Sequence, residues 1–276
     1  MRLFAYAAVL TLLLAVSARS GDPDEICFRY QDGLIWLKAE VPGKNESLNF
    51  LLDSGAGVSV LDLGRARALG MRVGKPELMQ GVNGRAVAYR VDDFQAVSGG
   101  ITLPKSVLAI NLQTISKCCH QHIDGILGID FFRGRIVQID FAARRVRMLR
   151  HGLDLANCEI LPIKMCNGAF CVPVRVAGNP AEWMRLDTGC DASLEWVVSG
   201  PRKRLIEGTS IGLSHSSRKY VKAAVQIGKQ HFTIPAAIHA EPIFSGEGGL
   251  LGNGLLSKFR LTIDEPGDRV IFEKHR

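Results

Sequence analysis

The chain repeats itself, and the repeat limits what it can fold into. Residues 34–53, LIWLKAEVPGKNESLNFLLD, and residues 169–187, AFCVPVRVAGNPAEWMRLD, share one pattern. Apolar residues alternate, a glycine-containing turn follows, and an apolar strand then ends on an aspartate. Each aspartate is followed by a glycine-rich segment between strand-like runs, GVNGRAVAYRV (81–91) and GTSIGLSHSSRKYV (208–221). Each half then closes with a related block, DGILGIDFFRGRIVQIDFAARRV (124–146) and GGLLGNGLLSKFRLTIDEPGDRV (248–270). Leu127 stands 74 residues beyond Asp53 and Leu251 stands 64 beyond Asp187. The ten-residue difference falls in the middle of the first half, where VLDLGRARALGM (60–71) reads as a short helix. The expected fold is all-β: two tandem lobes related by internal duplication, an N-terminal lobe over 27–152 and a C-terminal lobe over 158–276, joined near His151–Asp154, with the functional site where the lobes meet.

The 276 residues suffice for two compact units, and 47% hydrophobic with 22% charged residues fits a folded globular chain. Residues 4–16, FAYAAVLTLLLAV, form an apolar run behind Arg2 that is too short to span a bilayer and suits a signal-peptide core. Residues 1–20 are therefore read as a signal peptide, cut after Ala18 or Ser20, and the mature protein as secreted or periplasmic. Only about a dozen residues lie between that signal and the first strand, so control by a long pro-segment is not expected. Removing residues 1–20 takes away Arg2 and Arg19 and lowers the net charge from +7 to +5. The basic residues are scattered, without the aromatic interleaving of a nucleic-acid site, so no nucleic-acid partner is expected. No later stretch is apolar enough to cross a membrane as a helix.

The aspartates pose a chemical problem. An isolated carboxylate at the end of a buried strand is costly and tends to neutralise. Asp-Ser-Gly-Ala (53–56) and Asp-Thr-Gly-Cys (187–190) put one there in each half. No basic residue recurs in register to pair with both, because Arg185 precedes Asp187 by two positions where the first half has Leu51. If the duplication brings the loops together, each carboxyl's partner is the other. Two carboxyls in hydrogen-bonding reach share one proton and titrate as a pair. The ionised member can then take a proton from water while the protonated member donates to a carbonyl oxygen. Gly55 and Gly189 allow close backbone approach, and the Ser54 and Thr188 hydroxyls can tie neighbouring backbone. Leu127-Gly128 and Leu251-Gly252 are expected to pack under the loops.

DSGA with GILG, and DTGC with GLLG, resemble the retropepsin-like aspartic peptidases, a likeness running from about Gly33 to Phe272. The resemblance implies a short single-chain, two-lobe aspartic endopeptidase, monomeric and without cofactor or metal. It also implies Asp53 and Asp187 as the catalytic pair, with Ser54, Gly55, Ala56, Thr188, Gly189 and Cys190 supporting the loops. Flap hairpins would carry Gly81, Val82, Asn83 and Gly84 in the first half and Ser210, Ile211 and Gly212 in the second. These would close over an extended peptide or protein substrate bound as an added strand. Two alternatives stay open: a non-catalytic peptide-binding protein of the same fold, and a peptidase active only as a dimer of whole chains.

Seven cysteines lie beyond the signal region, an odd number that leaves at least one thiol over in an oxidising compartment. Cys166 and Cys171 flank the turn Asn167–Ala169 and are expected to pair, while Cys190 is the leading unpaired thiol. Cys118-Cys119-His120-Gln121-His122 crowds soft ligands too closely for one tetrahedral metal. His215 is read as an exposed residue of the second flap, and Trp183 and Trp196 as packing residues around the second loop.

Overall fold

The computed structural model describes residues 24–81, 84–150, 155–156, 158–198 and 219–275. The signal region, Val82 and Asn83, the junction at 151–154, and Ser210, Ile211, Gly212 and His215 lie outside the described residues. Within them the chain is mostly β, and no helix is long and apolar enough to cross a membrane.

The same three-strand arrangement frames each aspartate. In the first half Ser47–Leu52 runs parallel to Gly125–Leu127, with Leu52 opposite Leu127, and Gly125–Leu127 pairs antiparallel with Val60–Asp62. In the second, Glu182–Leu186 runs parallel to Gly249–Leu251, with Leu186 opposite Leu251, and Gly249–Leu251 pairs antiparallel with Leu194–Val197. Ser47–Leu52, Leu194–Val197 and Gly249–Leu251 are buried almost throughout because both faces are covered, as parallel neighbours require. Phe50, Leu52, Leu127, Leu186, Trp196 and Leu251 all belong to one buried core.

The halves also meet in an antiparallel strand pair. Ile136–Asp140 lies beside Phe259–Asp264, with Gln138 opposite Thr262 at the centre. On one side follow Arg145–Leu149 and Glu25–Gln31; on the other follow Arg269–Lys274 and Cys158–Pro162. Side chains close the pairing, since Gln138 Nε2 donates to Thr262 Oγ1 at 3.3 Å.

Two local expectations are corrected, and one element appears that was not expected. The helix placed at 60–71 spans only Leu63–Ala68, because Val60–Asp62 pairs with Val107–Ile110 as a strand. Asp62 then caps the helix, accepting from the Arg65 N–H at 3.0 Å. A second short helix, Gln113–Cys118, carried no sequence signal: it has neither a side-chain cap nor a buried residue. The disulfide across the Cys166 turn does not form, and none of the seven cysteines is bonded to another. The hairpin register sets Cys166 opposite Ala169 and Cys171 opposite Lys164, so the two sulfurs are neighbours without being a cross-strand pair.

Candidate active site

Both aspartates leave their strands at the same point. The Asp53 N–H donates to Leu127 O and the Asp187 N–H to Leu251 O, each at 2.9 Å. The chain then turns back, and the blocks carrying Leu127 and Leu251 hold each turn from below. Ile129 N–H donates to Ala56 O and Asn253 N–H to Cys190 O, each at 2.8 Å. Gly128 and Gly252 lie so close to the turns that an added Cβ would come within 2.9 Å of Ala56 O and 2.7 Å of Cys190 O. The expected packing of the two Leu-Gly pairs under the loops therefore has a direct geometric basis.

Four hydrogen bonds cross between the loops. The Ser54 hydroxyl donates to Leu186 O at 2.7 Å and accepts from the Thr188 N–H at 3.1 Å. The Thr188 hydroxyl donates to Leu52 O at 2.9 Å and accepts from the Ser54 N–H at 2.9 Å. Each hydroxyl thus ties the opposite strand end to the opposite loop, and both are fully buried. Ser and Thr serve equally because the bracing needs only the hydroxyl.

With the loops locked face to face, the Asp53 and Asp187 carboxyls come close enough to shift each other's titration. Gly55 and Gly189 make this approach possible. Neither has a positive φ, so the requirement is space. A Cβ on Gly55 would sit 2.6 Å from Asp187 Oδ2, and one on Gly189 would sit 2.6 Å from Asp53 Oδ1. Both aspartates are largely buried and ringed by protein, so their charged forms are poorly solvated. Burial raises Asp187 well above the ordinary carboxylate range, and the neighbouring Asp53 charge raises it further. Burial raises Asp53 too, against the opposing pull of its hydrogen bonds with Asp187 and the Gly55 and Ala56 N–H groups.

Cys190 takes the place that Ala56 has in the first loop, packed against Gly252. Burial, followed by the charge of Asp187, raises its thiol far above the ordinary range, which keeps it protonated and unreactive. Gly81 and Gly84 stand opposite each other at the end of the hairpin Pro76–Gly81/Gly84–Val91, the expected first flap. This hairpin exposes Leu78, 72% accessible, opposite Val87, 48% accessible, an apolar pair left uncovered by the described residues. Trp196 is core, while Trp183 is half-buried with Lys164 Nζ 4.1 Å from its ring centroid. His122 pairs with Asp124 at 3.0 Å. Among the described residues no group of three or more His, Cys, Asp or Glu could hold a metal ion.

Residues 37–131 match the family model described as aspartyl protease. The match supports the retropepsin-like aspartic peptidase family. It covers the Asp53 loop, the first flap hairpin and Leu127-Gly128, and it ends before Asp187. No curated protein matches the chain in sequence. For the part of the site around Asp187, geometry alone speaks.

Sequence reasoning missed two residues here. Arg185, set aside for having no counterpart, is 2% exposed and donates from one terminal nitrogen to Gly55 O across the site at 2.7 Å. Asn253 is fully buried, and its amide donates to Thr188 O and to Gly33 O, each at 2.7 Å. Only the mismatch of Arg185 with Leu51 in an otherwise apolar register signalled either.

Proposed function

We propose that the protein is a two-lobe aspartic endopeptidase in which Asp53 and Asp187 together activate a water molecule for peptide hydrolysis. The lobes would have arisen by duplication, with boundaries near 27–152 and 158–276. The observation that carries this reading is the reciprocal bracing of Ser54 and Thr188, which holds the two aspartate loops face to face. A lone turn has no use for such bracing, and two carboxyls so close hold a single proton between them. The family match over the first loop agrees with it.

The chemistry follows from the charge state. The ionised carboxylate takes a proton from a water held between the pair, and that water attacks the scissile carbonyl carbon. The protonated carboxyl gives its proton to the carbonyl oxygen, yielding a tetrahedral diol. Collapse of the diol transfers a proton to the departing amine and leaves the pair sharing one proton again. All four bracing bonds form within one chain, which supports a monomer as the working unit. The exposed Leu78 and Val87 would settle on an extended peptide lying over the pair. The signal reading of residues 1–20 would place the enzyme outside the cytoplasm.

A peptide mixture incubated across pH 3–8 and read by mass spectrometry tests this. The wild type is expected to cut, most strongly at acidic to mildly acidic pH where the pair holds one proton. Asp53→Asn and Asp187→Asn are each expected to cut at least about 10³-fold more slowly. A single variant that keeps its activity would show that the two aspartates are not one site. A folded wild type that binds peptides and cuts none would make this a binding protein.

A further inference from the structure

The Asp53 carboxyl is held differently from that of Asp187. Asp53 Oδ1 accepts two backbone N–H bonds, from Gly55 at 2.9 Å and from Ala56 at 3.0 Å. Asp187 Oδ1 accepts one, from Gly189 at 2.9 Å. The extra donor, the Ala56 N–H, belongs to the peptide group whose carbonyl is Gly55 O, and that carbonyl accepts from Arg185. A continuous line thus runs from guanidinium to carbonyl, through the peptide to its N–H, and on to the Asp53 oxygen. A cation on the carbonyl end polarises the peptide and strengthens the N–H as a donor to an anion. At the matching position behind Asp53 stands Leu51, which has no donor, so the Gly189 carbonyl receives no such bond from there.

Arg185 is fixed for this task on every side. Its other nitrogens form a fork on Glu247, at 2.9 and 2.7 Å, and both residues are almost fully buried. Phe244 lies under the guanidinium, 3.4 Å from carbon to ring centroid. Asn167 donates to the same Glu247 carboxylate at 2.8 Å and to Ser245 O at 2.9 Å. A buried ion pair is a poor route to stability compared with apolar packing, so its presence two residues from Asp187 calls for another reason.

We propose that Arg185 is a positioning residue that decides which carboxyl carries the shared proton: through the Gly55–Ala56 peptide it holds Asp53 as the ionised member and leaves the proton on Asp187. This rests on Asp53 and Asp187 acting as one pair. It assigns Asp53 as general base and Asp187 as general acid. Among the described residues, the charged and titratable groups facing this network are Asp53, Asp187, Glu247 and Cys171 around Arg185, with Cys166 beside Cys171, and Cys190, Asp191 and Glu195 on the Asp187 side. Cys171 and Cys190 stay neutral through the working range because burial raises both thiols.

The test is carbon-13 NMR of the whole protein labelled at the aspartate carboxyl carbons, with the two resonances assigned through Asp53→Asn and Asp187→Asn. In the wild type the Asp53 resonance is expected to titrate first as pH rises, at least about one pH unit before that of Asp187. In Arg185→Met/Glu247→Gln, which leaves no orphan charge, the two steps should draw together. Glu247→Gln alone keeps Arg185 and removes its counter-charge, so the Asp53 step should move to lower pH. Arg185→Lys, which keeps the charge, should retain most of the separation. A purely structural Arg185 would lower the melting temperature and leave these titrations where they were. The proposal is overturned if Asp187 ionises first in the wild type. It is also overturned if the separation survives in the folded double variant, or, should that variant not fold, if Glu247→Gln leaves the Asp53 step unmoved. Peptide cleavage is not needed for this readout, so an inactive wild type would sink the peptidase reading and leave the role of Arg185 still measured.

Discussion

Behind Asp53, the strand Ser47–Leu52 places Leu51 in an apolar cluster with Trp36, Val60 and Ile126. Behind Asp187, the strand Glu182–Leu186 places Arg185 against Glu247 and Phe244. In front, the loops are near copies: the same backbone anchor, reciprocal hydroxyls, and a glycine against the opposing carboxyl. The face where two carboxyls must meet is symmetric, and the support behind it is free to differ. That difference can divide the labour between two chemically identical groups, because neighbours and donors decide which of two interacting carboxyls holds a proton.

The symmetric face is open to attack at its glycines. Gly55→Ala and Gly189→Ala each put a methyl where the other loop's carboxyl lies, so the pair must separate. Each is expected to slow cleavage by about 10²-fold with the fold intact, checked by initial rates on peptides the wild type cuts. A large loss from one substitution and none from the other would mean the approach is not mutual.

The bracing should cost stability evenly. Ser54→Ala leaves the Thr188 N–H and Leu186 O without partners, and Thr188→Ala does the same to the Ser54 N–H and Leu52 O. Each is expected to destabilise by about 2–4 kcal/mol, measured by denaturant unfolding. Values differing by much more than about 1 kcal/mol would show one hydroxyl doing most of the bracing.

The asymmetric support should appear in pH dependence. The folded Asp187 carboxyl is raised above its unfolded value, so its contribution to stability is complete below the ordinary carboxylate range and is lost as pH rises through the raised value. Asp187→Asn removes that loss. Its melting temperature should exceed wild type by about 2–4 °C at pH 7–8, with the gain fading toward pH 4. Asp53→Asn should gain less, because Asp53 is better supplied with donors. Equal gains in two calorimetric series would break the distinction. The smallest effect concerns the loops' fourth residues. The half-buried Cys190 thiol, held protonated, should resist iodoacetamide at pH 8 while the exposed Cys27 and Cys118 are labelled, as peptide mapping would show. Labelling of Cys190 ahead of these two would mean that the second loop opens readily.

Much of this was legible in the sequence because the repeat is written in local pattern. The strand ends at Asp53 and Asp187, and the Leu-Gly pairs beneath them, follow from aligning one half on the other. What escaped was what the halves do not share. Arg185 found its partner 62 residues along the chain at Glu247, a contact that no spacing rule reports. Comparing the halves even argued against Arg185, since a search for a residue common to both discards the one that distinguishes them. Val60–Asp62 was taken into the helix because a short apolar run reads equally as strand, and only Val107–Ile110 alongside decides. Cys166 and Cys171 flank a turn, but hairpin register and not separation in sequence determines which residues face.

The hydroxyl bonds join residues more than 130 positions apart, and Asn253 reaches Gly33 across 220. Closing such spans is slow, because the chain loses its freedom before the contacts return anything. Each half can gather its own strands first, but a half alone presents one carboxyl and no opposing hydroxyl. The seam is therefore expected to close late in folding. On the proposed reading, hydrolytic competence would then arrive all at once with that seam, so that activity itself would be a clock for the last step of folding.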